Sequence, residues 1–369
     1  MHNVTVNVCS PDQNIFEQWE ALSRRAVTNV FMNPAALKIA HETKFSQMHM
    51  LLAWLDDVQP KRLIGIWAMR KNNIMPLWPS CFEAPPYNYA FLSNPVIDPD
   101  FMGEVVAEFL DTIERDQRLP NVIHLRYLDA QSESYGAILN ALAVRGAHTS
   151  KLLERDRPFI TKEFGLKISG STRKKLRQDW NRLCALGKVE ILNDRSQHAA
   201  KDSFEAYLNM ELSSWKGARG TALLSKEGDA TFARRLIEAL AAERSASVAL
   251  LKLDGRAIAA QVLLYCGSTA YTWKTAFTAD FGKFSPGTLL IDKMSKQLFA
   301  NEGIEAIESC SPEGGFMNHM WHGRRATVDL LADLGPGKSI EFKAVAMGLR
   351  SYGRLRKIRD GLRETVVKR

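Results

Sequence analysis

Two strand pairs, each closed by a polar turn and set about two hundred residues apart, constrain this chain more than any other feature. In the first, MHMLLAWL (48–55) and KRLIGIWAMR (61–70) flank a loop containing Asp56, Asp57 and Pro60. In the second, SVALLKL (247–253) and RAIAAQVLLYC (256–266) are joined directly by Asp254-Gly255. Asp-Gly is a preferred two-residue hairpin turn because both central positions need positive φ. Each pair leads into further extended sequence, an amphipathic helix and another strand: EVVAEFLDTIERDQ then NVIHLRYL, and TLLIDKMSKQLFANEG then IEAIESC. In the later helix Leu290, Met294, Leu298 and Phe299 share a face, as a helix laid on a sheet requires, and Gly303 stands where a C-cap glycine belongs. An order stated twice predicts two α/β halves of mixed sheet.

RDRPFITKEFG (155–165) reads as the connector, which sets an N-terminal half at 1–155, a C-terminal half at 156–345 and a basic terminal helix or tail at 346–369. The second half opens with the helix STRKKLRQDWNRLCALG, in which Leu176, Trp180 and Leu183 share a face. Ser169 or Ser171 caps it and Gly187 ends it. Its other face is basic, through Arg173, Lys174, Lys175, Arg177 and Arg182.

At 369 residues and 46% hydrophobic, the chain can bury the cores of two domains. It opens without a basic start and apolar run, and nothing in it approaches the roughly 18 consecutive apolar residues of a membrane span, so a cytoplasmic protein is expected. Cys9, Cys81, Cys184, Cys266 and Cys310 are odd in number and scattered, which predicts free thiols; His319 and His322 lack ligand-type neighbours, and no metal is expected. The net charge of +8 is concentrated: residues 343–369 hold nine Lys/Arg against two acids. That tail is either a solvated helix or a contact for an anionic surface.

Four stretches carry candidate chemistry. In ELSSWKGARGTALL a helix ends in a glycine-broken loop with Glu211, Trp215 and Lys216; Gly217 and Gly220 admit close approach of a ligand, and Trp215 is either a wall for a sugar or peptide or a core residue. In the strand AYTWKTAF, Lys274 either snorkels at a sheet edge or points into a polar cleft. In DFGKFSPGTLL, Ser285 caps a helix that starts at Pro286, and Gly287 and Thr288 offer backbone N–H groups; this start is an anion site assisted by Lys283, or an ordinary cap. In SCSPEGGFMNHMWHGRR, His319 is a candidate base beside Trp321, or a plain loop histidine.

At these residues the sequence resembles the GNAT-related acetyltransferases of the cellulose-biosynthesis type, distantly similar to Fem-type peptidoglycan aminoacyltransferases. The resemblance spans most of the chain and rests on FMNPAALKIA, SGSTRKKLRQDWNRL, the pair SWKGARGTAL and YTWKTAFTADFGKFSPGTLL, and the His-Met-Trp segment. It implies tandem GNAT-like halves and transfer of an acetyl or other acyl group from acyl-CoA to an amine or hydroxyl. The acceptor would be a small molecule or glycan, in exopolysaccharide or cell-envelope biosynthesis, and attack would be direct, with no covalent enzyme intermediate. Glu211, Lys274 and His319 are then the catalytic candidates, Lys283, Ser285, Gly287 and Thr288 the donor-binding ones, and Trp215, Lys216 and Trp321 the acceptor-binding ones. The sequence departs from the GNAT pattern in lacking Gln/Arg-x-x-Gly-x-Gly/Ala, for which Gly282 to Gly287 is an approximate substitute. Two alternatives stand beside this reading: an aminoacyl-tRNA donor, the one case in which a nucleic acid is expected, and a non-catalytic subunit that binds a glycan or a synthase. The first half lacks counterparts of both WKG and SPG and is the expected scaffold.

Overall fold

A computed structural model describes residues 2–73, 78–166, 168–300, 303–311, 315–335 and 337–351. In chain order the elements are β1 (Val4–Cys9), α1 (Phe16–Ser23), α2 (Pro34–Glu42), β2 (His49–Leu55), β3 (Arg62–Asn73), β4 (Ser80–Ala84), β5 (Val96–Ile97), α3 (Met102–Arg115), β6 (Val122–Asp129) and α4 (Glu133–Val144). There follow β7 (His148–Thr161), α5 (Gly170–Cys184), β8 (Val189–Leu192), α6 (Gln197–Leu212), α7 (Trp215–Ala218), α8 (Glu227–Ala242), β9 (Ala246–Leu253), β10 (Arg256–Cys266) and β11 (Thr269–Phe277). The last are α9 (Pro286–Ala300), β12 (Ala306–Glu308), α10 (Met317–Met320) and β13 (Arg324–Asp333).

The chain forms two compact units. One comprises residues 1–13, 47–154 and 327–369; the other comprises 14–46 and 155–326. Against the contiguous halves expected from sequence, segment 14–46 thus counts with the second unit and β13 from Thr327 onward with the first.

In the first unit the strands run in the order β1-β2-β3-β4-β6-β13, with β5 on β3. Neighbours are antiparallel except β4 and β6, which pair in parallel from Phe82↔Ile123 to Ala84↔Leu125 and are connected through α3. The α3 helix buries Val105, Val106, Phe109, Leu110 and Ile113. It lies so close to β3 that a Cβ on Gly65 would stand 2.7 Å from Val105 Cγ1, which explains a glycine in mid-strand. The basic terminal helix or tail expected from residue 346 begins inside this unit's core: Ala346 is buried with Phe342, Val345, Cys81, Val122 and Leu331, and Leu349 packs against them. From residue 352 the tail lies outside the described residues.

The second unit repeats the plan. Its order is β7-β12-β11-β10-β9-β8, antiparallel except for β11 and β12, which are parallel and connected through α9. Asp254 and Gly255 turn β9 into β10 with φ of 48° and 80°, the pair of positive values the sequence requires. Gly187 has a further reason besides helix termination: a Cβ there would fall 2.1 Å from the carboxylate of Asp254, which accepts a hydrogen bond from Lys188 N at 2.7 Å. The core gathers Leu289, Leu290, Met294 and Leu298 of α9, Leu176 and Leu183 of α5, and Ile258, Ala259 and Leu263 of β10. Antiparallel strands, a crossover helix and a parallel strand, stated twice, are the tandem GNAT-like α/β fold expected from the pattern. Among the described residues no helix is long and apolar enough to cross a membrane.

Candidate active site

The second unit contains a parting of strands. On one side β11 pairs with β10 along its length, with a bulge opposite Trp273 where Val262↔Lys274 is followed by Leu263↔Thr272. On its other side the ladder to β12 runs only from Thr269↔Ala306 to Tyr271↔Glu308, while β11 continues to Phe277. A side chain spans the last step: Thr272 Oγ1 donates to the carbonyls of Glu308 (3.2 Å) and Ser309 (3.0 Å). The end of β12 is fixed by a buried ion cluster in which Glu308 lies 2.9 Å from Arg325 and 3.5 Å from Arg157. The same carboxylate accepts from Cys310 N. A charge taken wholly out of water persists only with partners of this kind.

Beside β11, a second cluster forms where α6 ends. Glu211, 1% exposed, accepts from Tyr207 Oη (2.6 Å), Lys216 Nζ (3.0 Å) and Leu223 N (2.9 Å). Lys216 also donates to Thr275 O at 3.1 Å, tying α7 to β11. Burial alone would raise the Glu211 pKa, but Lys216, Lys274, the Leu223 N–H and the Tyr207 hydroxyl together hold it below its ordinary value. For the half-buried Lys274, loss of solvation pushes the pKa down from 10.5 to about 8, with Lys216 adding to the decrease and Glu211 and Asp229 opposing it. Of the two positions open to Lys274 in the sequence, the polar cleft fits better, because the side chain is half-buried within reach of the charges of Glu211, Lys216 and Asp229.

The third feature is a cleft of about 370 Å³ lined by Ser171, Thr172, Lys175, Leu176 and Asp179 of α5, Ser285 and Thr288 at the start of α9, and Phe316, His319 and Met320. Ser285 has φ of 51° and its carbonyl accepts from Thr288 N and Leu289 N, so the helix begins on this residue as expected. Lys175 Nζ bonds the buried Asp179 carboxylate and lies 3.4 Å from Ser285 Oγ.

The expected site residues therefore divide. Glu211, Lys216 and Lys274 come together beside β11; His319, Ser285 and Thr288 share the cleft, which the first three do not line. Three expectations need correction on physical grounds. Glu211 is an anchor and not a free base, since both carboxylate oxygens are engaged by protein donors. Trp321 is 1% exposed within the core and is no surface for an acceptor. Gly287, expected at the donor site, is buried and does not line the cleft as Ser285 and Thr288 do; a Cβ there would meet Phe277 and Thr275 of β11 at the ordinary contact distances of 3.5 and 3.8 Å. Trp215 is 57% exposed, with Arg219 over its ring at 5.0 Å, and Lys283 is exposed beside Phe284. The sequence reading did not single out Asp179, Tyr207 or Thr272. The i,i+4 spacings Lys175/Asp179 and Tyr207/Glu211 were available signals for two of them.

In the first unit, Cys81, Glu83 and His124 bring ligand-type atoms within 4.8 Å of one another. Their chemistry does not suit a metal. Glu83 already accepts from Arg70, Asn72 and Arg126 and contacts His124 at 3.2 Å, and burial pushes the Cys81 thiol up to about 12.

The architecture agrees with solved structures. FemX superposes with a TM-score of 0.61 at 10% identity, over 88% of this chain and 96% of that one. The C-terminal domain (DUF2156) assigned to a lysylphosphatidylglycerol synthetase of Agrobacterium fabrum gives 0.56 at 14% identity, over 89% and 94%. The L-PGS structure from Bacillus licheniformis gives 0.53 at 12% identity, over 92% and 96%. No curated protein matches the sequence significantly. Residues 170–313, which run from α5 past β12 and carry the Glu211 cluster beside β11 and most of the cleft, match the family model described as an acetyltransferase (GNAT) domain.

Proposed function

We propose that this protein is an acyltransferase that moves an acetyl or other acyl group from acyl-CoA to an amine or hydroxyl of a small-molecule or glycan acceptor in the cytoplasm. The observation that carries the reading is the parting of β11 from β12, whose ladder ends at Tyr271↔Glu308 while β11 continues to Phe277, followed within ten residues by the α9 start and its cleft. A thioester laid against that stretch would have its carbonyl polarised by strand N–H groups, with its phosphates toward Ser285 and Thr288. The acceptor nitrogen or oxygen attacks the carbonyl carbon, the C–S bond breaks, CoA leaves as thiolate, and the acceptor's proton passes to a base. Lys274 is suited to that task because its amine is neutral above about pH 8. His319, on the cleft wall, is the second candidate. Glu211 acts indirectly, by holding Lys216 and the 212–223 segment against β11.

An aminoacyl-tRNA donor is the second reading. It is favoured by the exposed Arg173, Lys174 and Arg177 on the helix that lines the cleft, and by the names of the structural neighbours, which include a lysylphosphatidylglycerol synthetase. Native mass spectrometry of the purified protein, followed by transfer assays with radiolabelled acetyl-CoA and with charged tRNA, separates the two. Copurified CoA and label transfer from acetyl-CoA are expected; transfer from charged tRNA alone would replace the first reading with the second.

A further inference from the structure

We infer that Lys175, held by the buried Asp179, is the group that reads the donor's pyrophosphate in the α5/α9 cleft; the inference rests on the acyl-CoA reading above. The Asp179 side chain is 4% exposed and lies between two cations, Lys175, whose ammonium it binds, and Arg182 at 3.6 Å. One carboxylate against two cations leaves one positive charge at this end of α5. The Lys175 side chain is 63% exposed and lines the cleft, whereas Arg182 is turned toward the Phe284 ring at 5.3 Å. The surplus is therefore delivered into the cleft by Lys175.

Position follows from the same contacts. A free lysine tip is a mobile point charge, but this one is fixed at its carboxylate and lies 3.4 Å from Ser285 Oγ, across the cleft from its own helix. An ammonium has three donors. With Asp179 occupying one and Ser285 within reach of another, at least one remains for a ligand oxygen. Around it stand the hydroxyls of Ser171, Thr172, Ser285 and Thr288, while Leu176, Phe316 and Met320 supply apolar wall. Hydroxyl donors grouped about one fixed positive charge, with apolar surface adjoining, match a phosphate ester that continues into an uncharged arm. A neutral acceptor would leave the charge unanswered. Asp179 is on this account a positioning residue and Lys175 a ligand-binding one.

The test is calorimetric titration of the full chain, wild type, Lys175→Met and Lys175→Arg, with CoA and with pantetheine, which lacks every phosphate. Lys175 is exposed, and circular dichroism verifies that the variants fold. The expected result is that Lys175→Met weakens CoA binding about 10- to 100-fold, the loss of one charge-assisted hydrogen bond, and leaves pantetheine unchanged. Lys175→Arg should keep most of the affinity. CoA affinity unchanged in Lys175→Met, or an equal loss for pantetheine, would overturn the inference and leave the acyl-CoA reading standing. A wild-type protein that binds no CoA would overturn both.

Discussion

Replacing Lys274 by Met removes an ammonium that the fold holds in partial isolation from water, and the consequence can be followed with pH. The pKa of Lys274 falls from 10.5 in the unfolded chain to about 8 in the folded one. Between these values the unfolded state binds more protons than the native state, so this group's contribution to stability rises with pH across the window. Below about pH 8 the full cost of the desolvated charge is present; by pH 10.5 it is gone. At about 1.36 kcal/mol for each tenfold change, the interval corresponds to a ceiling of about 3 kcal/mol, and to about 2 kcal/mol once solvent screening of a half-buried group is allowed for. Other groups titrate in the same range with the opposite sign. Burial pushes the thiols of Cys81 and Cys266 up to about 12, so they lose stability as the unfolded thiols ionise. Urea unfolding of wild type and Lys274→Met at intervals from pH 7 to 10.5 removes these common terms by subtraction. The wild-type minus variant difference should climb by about 2 kcal/mol from pH 7.5 to 10.5. In parallel, the rise of kcat/KM through pH 8 should vanish in the variant, with a rate loss of about 10²- to 10⁴-fold if Lys274 is the base. A flat stability difference would refute the claim that the protein lowers this pKa.

Gly217→Ala should destabilise the protein by about 1–3 kcal/mol in thermal melts, because the new Cβ would fall 1.7 Å from the Leu212 carbonyl, a backbone atom that cannot swing aside. Trp321→Ala should cost about 3–5 kcal/mol by chemical denaturation, as a core cavity does; a loss below about 1 kcal/mol, with activity reduced, would restore the indole to the site. Glu308→Gln should cost about 3–5 kcal/mol at pH 7 by leaving Arg157 and Arg325 without their carboxylate, and a variant as stable as wild type would show that the cluster does not fix β12.

Local rules made the fold legible. Asp254-Gly255 announces its turn because few residue pairs accept positive φ twice, and Leu290, Met294 and Leu298 announce the buried face of α9 through their spacing. Ser285 and Thr288 were found for the same reason: a helix start is encoded within four residues. What depends on distant partners was not legible. Glu211 looks like a free carboxylate until Leu223 N and Lys216 close around it, and an aromatic between two histidines looks like a binding surface until the core encloses Trp321. Gly187 was read as a stop signal, although its closest constraint is the carboxylate of Asp254, sixty-seven positions away. Lys175 reads in sequence as one of five cations on a helix face, since its i,i+4 spacing to Asp179 does not reveal that the acid is buried.

The interleaving of the two units bears on how the protein is made. The first unit's sheet is completed by β13, whose Val328 pairs with Leu128 and whose Asp333 pairs with Val122, two hundred residues earlier. The second unit needs residues 14–46, which leave the ribosome before any of its own strands. Neither unit can close while only its own half of the message has been read. The nascent chain keeps an unpaired edge at β6 until β13 has been made, and an orphaned α1–α2 segment until the strands of the second unit follow. Translation at about 5–20 residues per second makes that exposure last on the order of ten seconds or more. Separately expressed halves cut at the 155/156 boundary would inherit the same defect permanently.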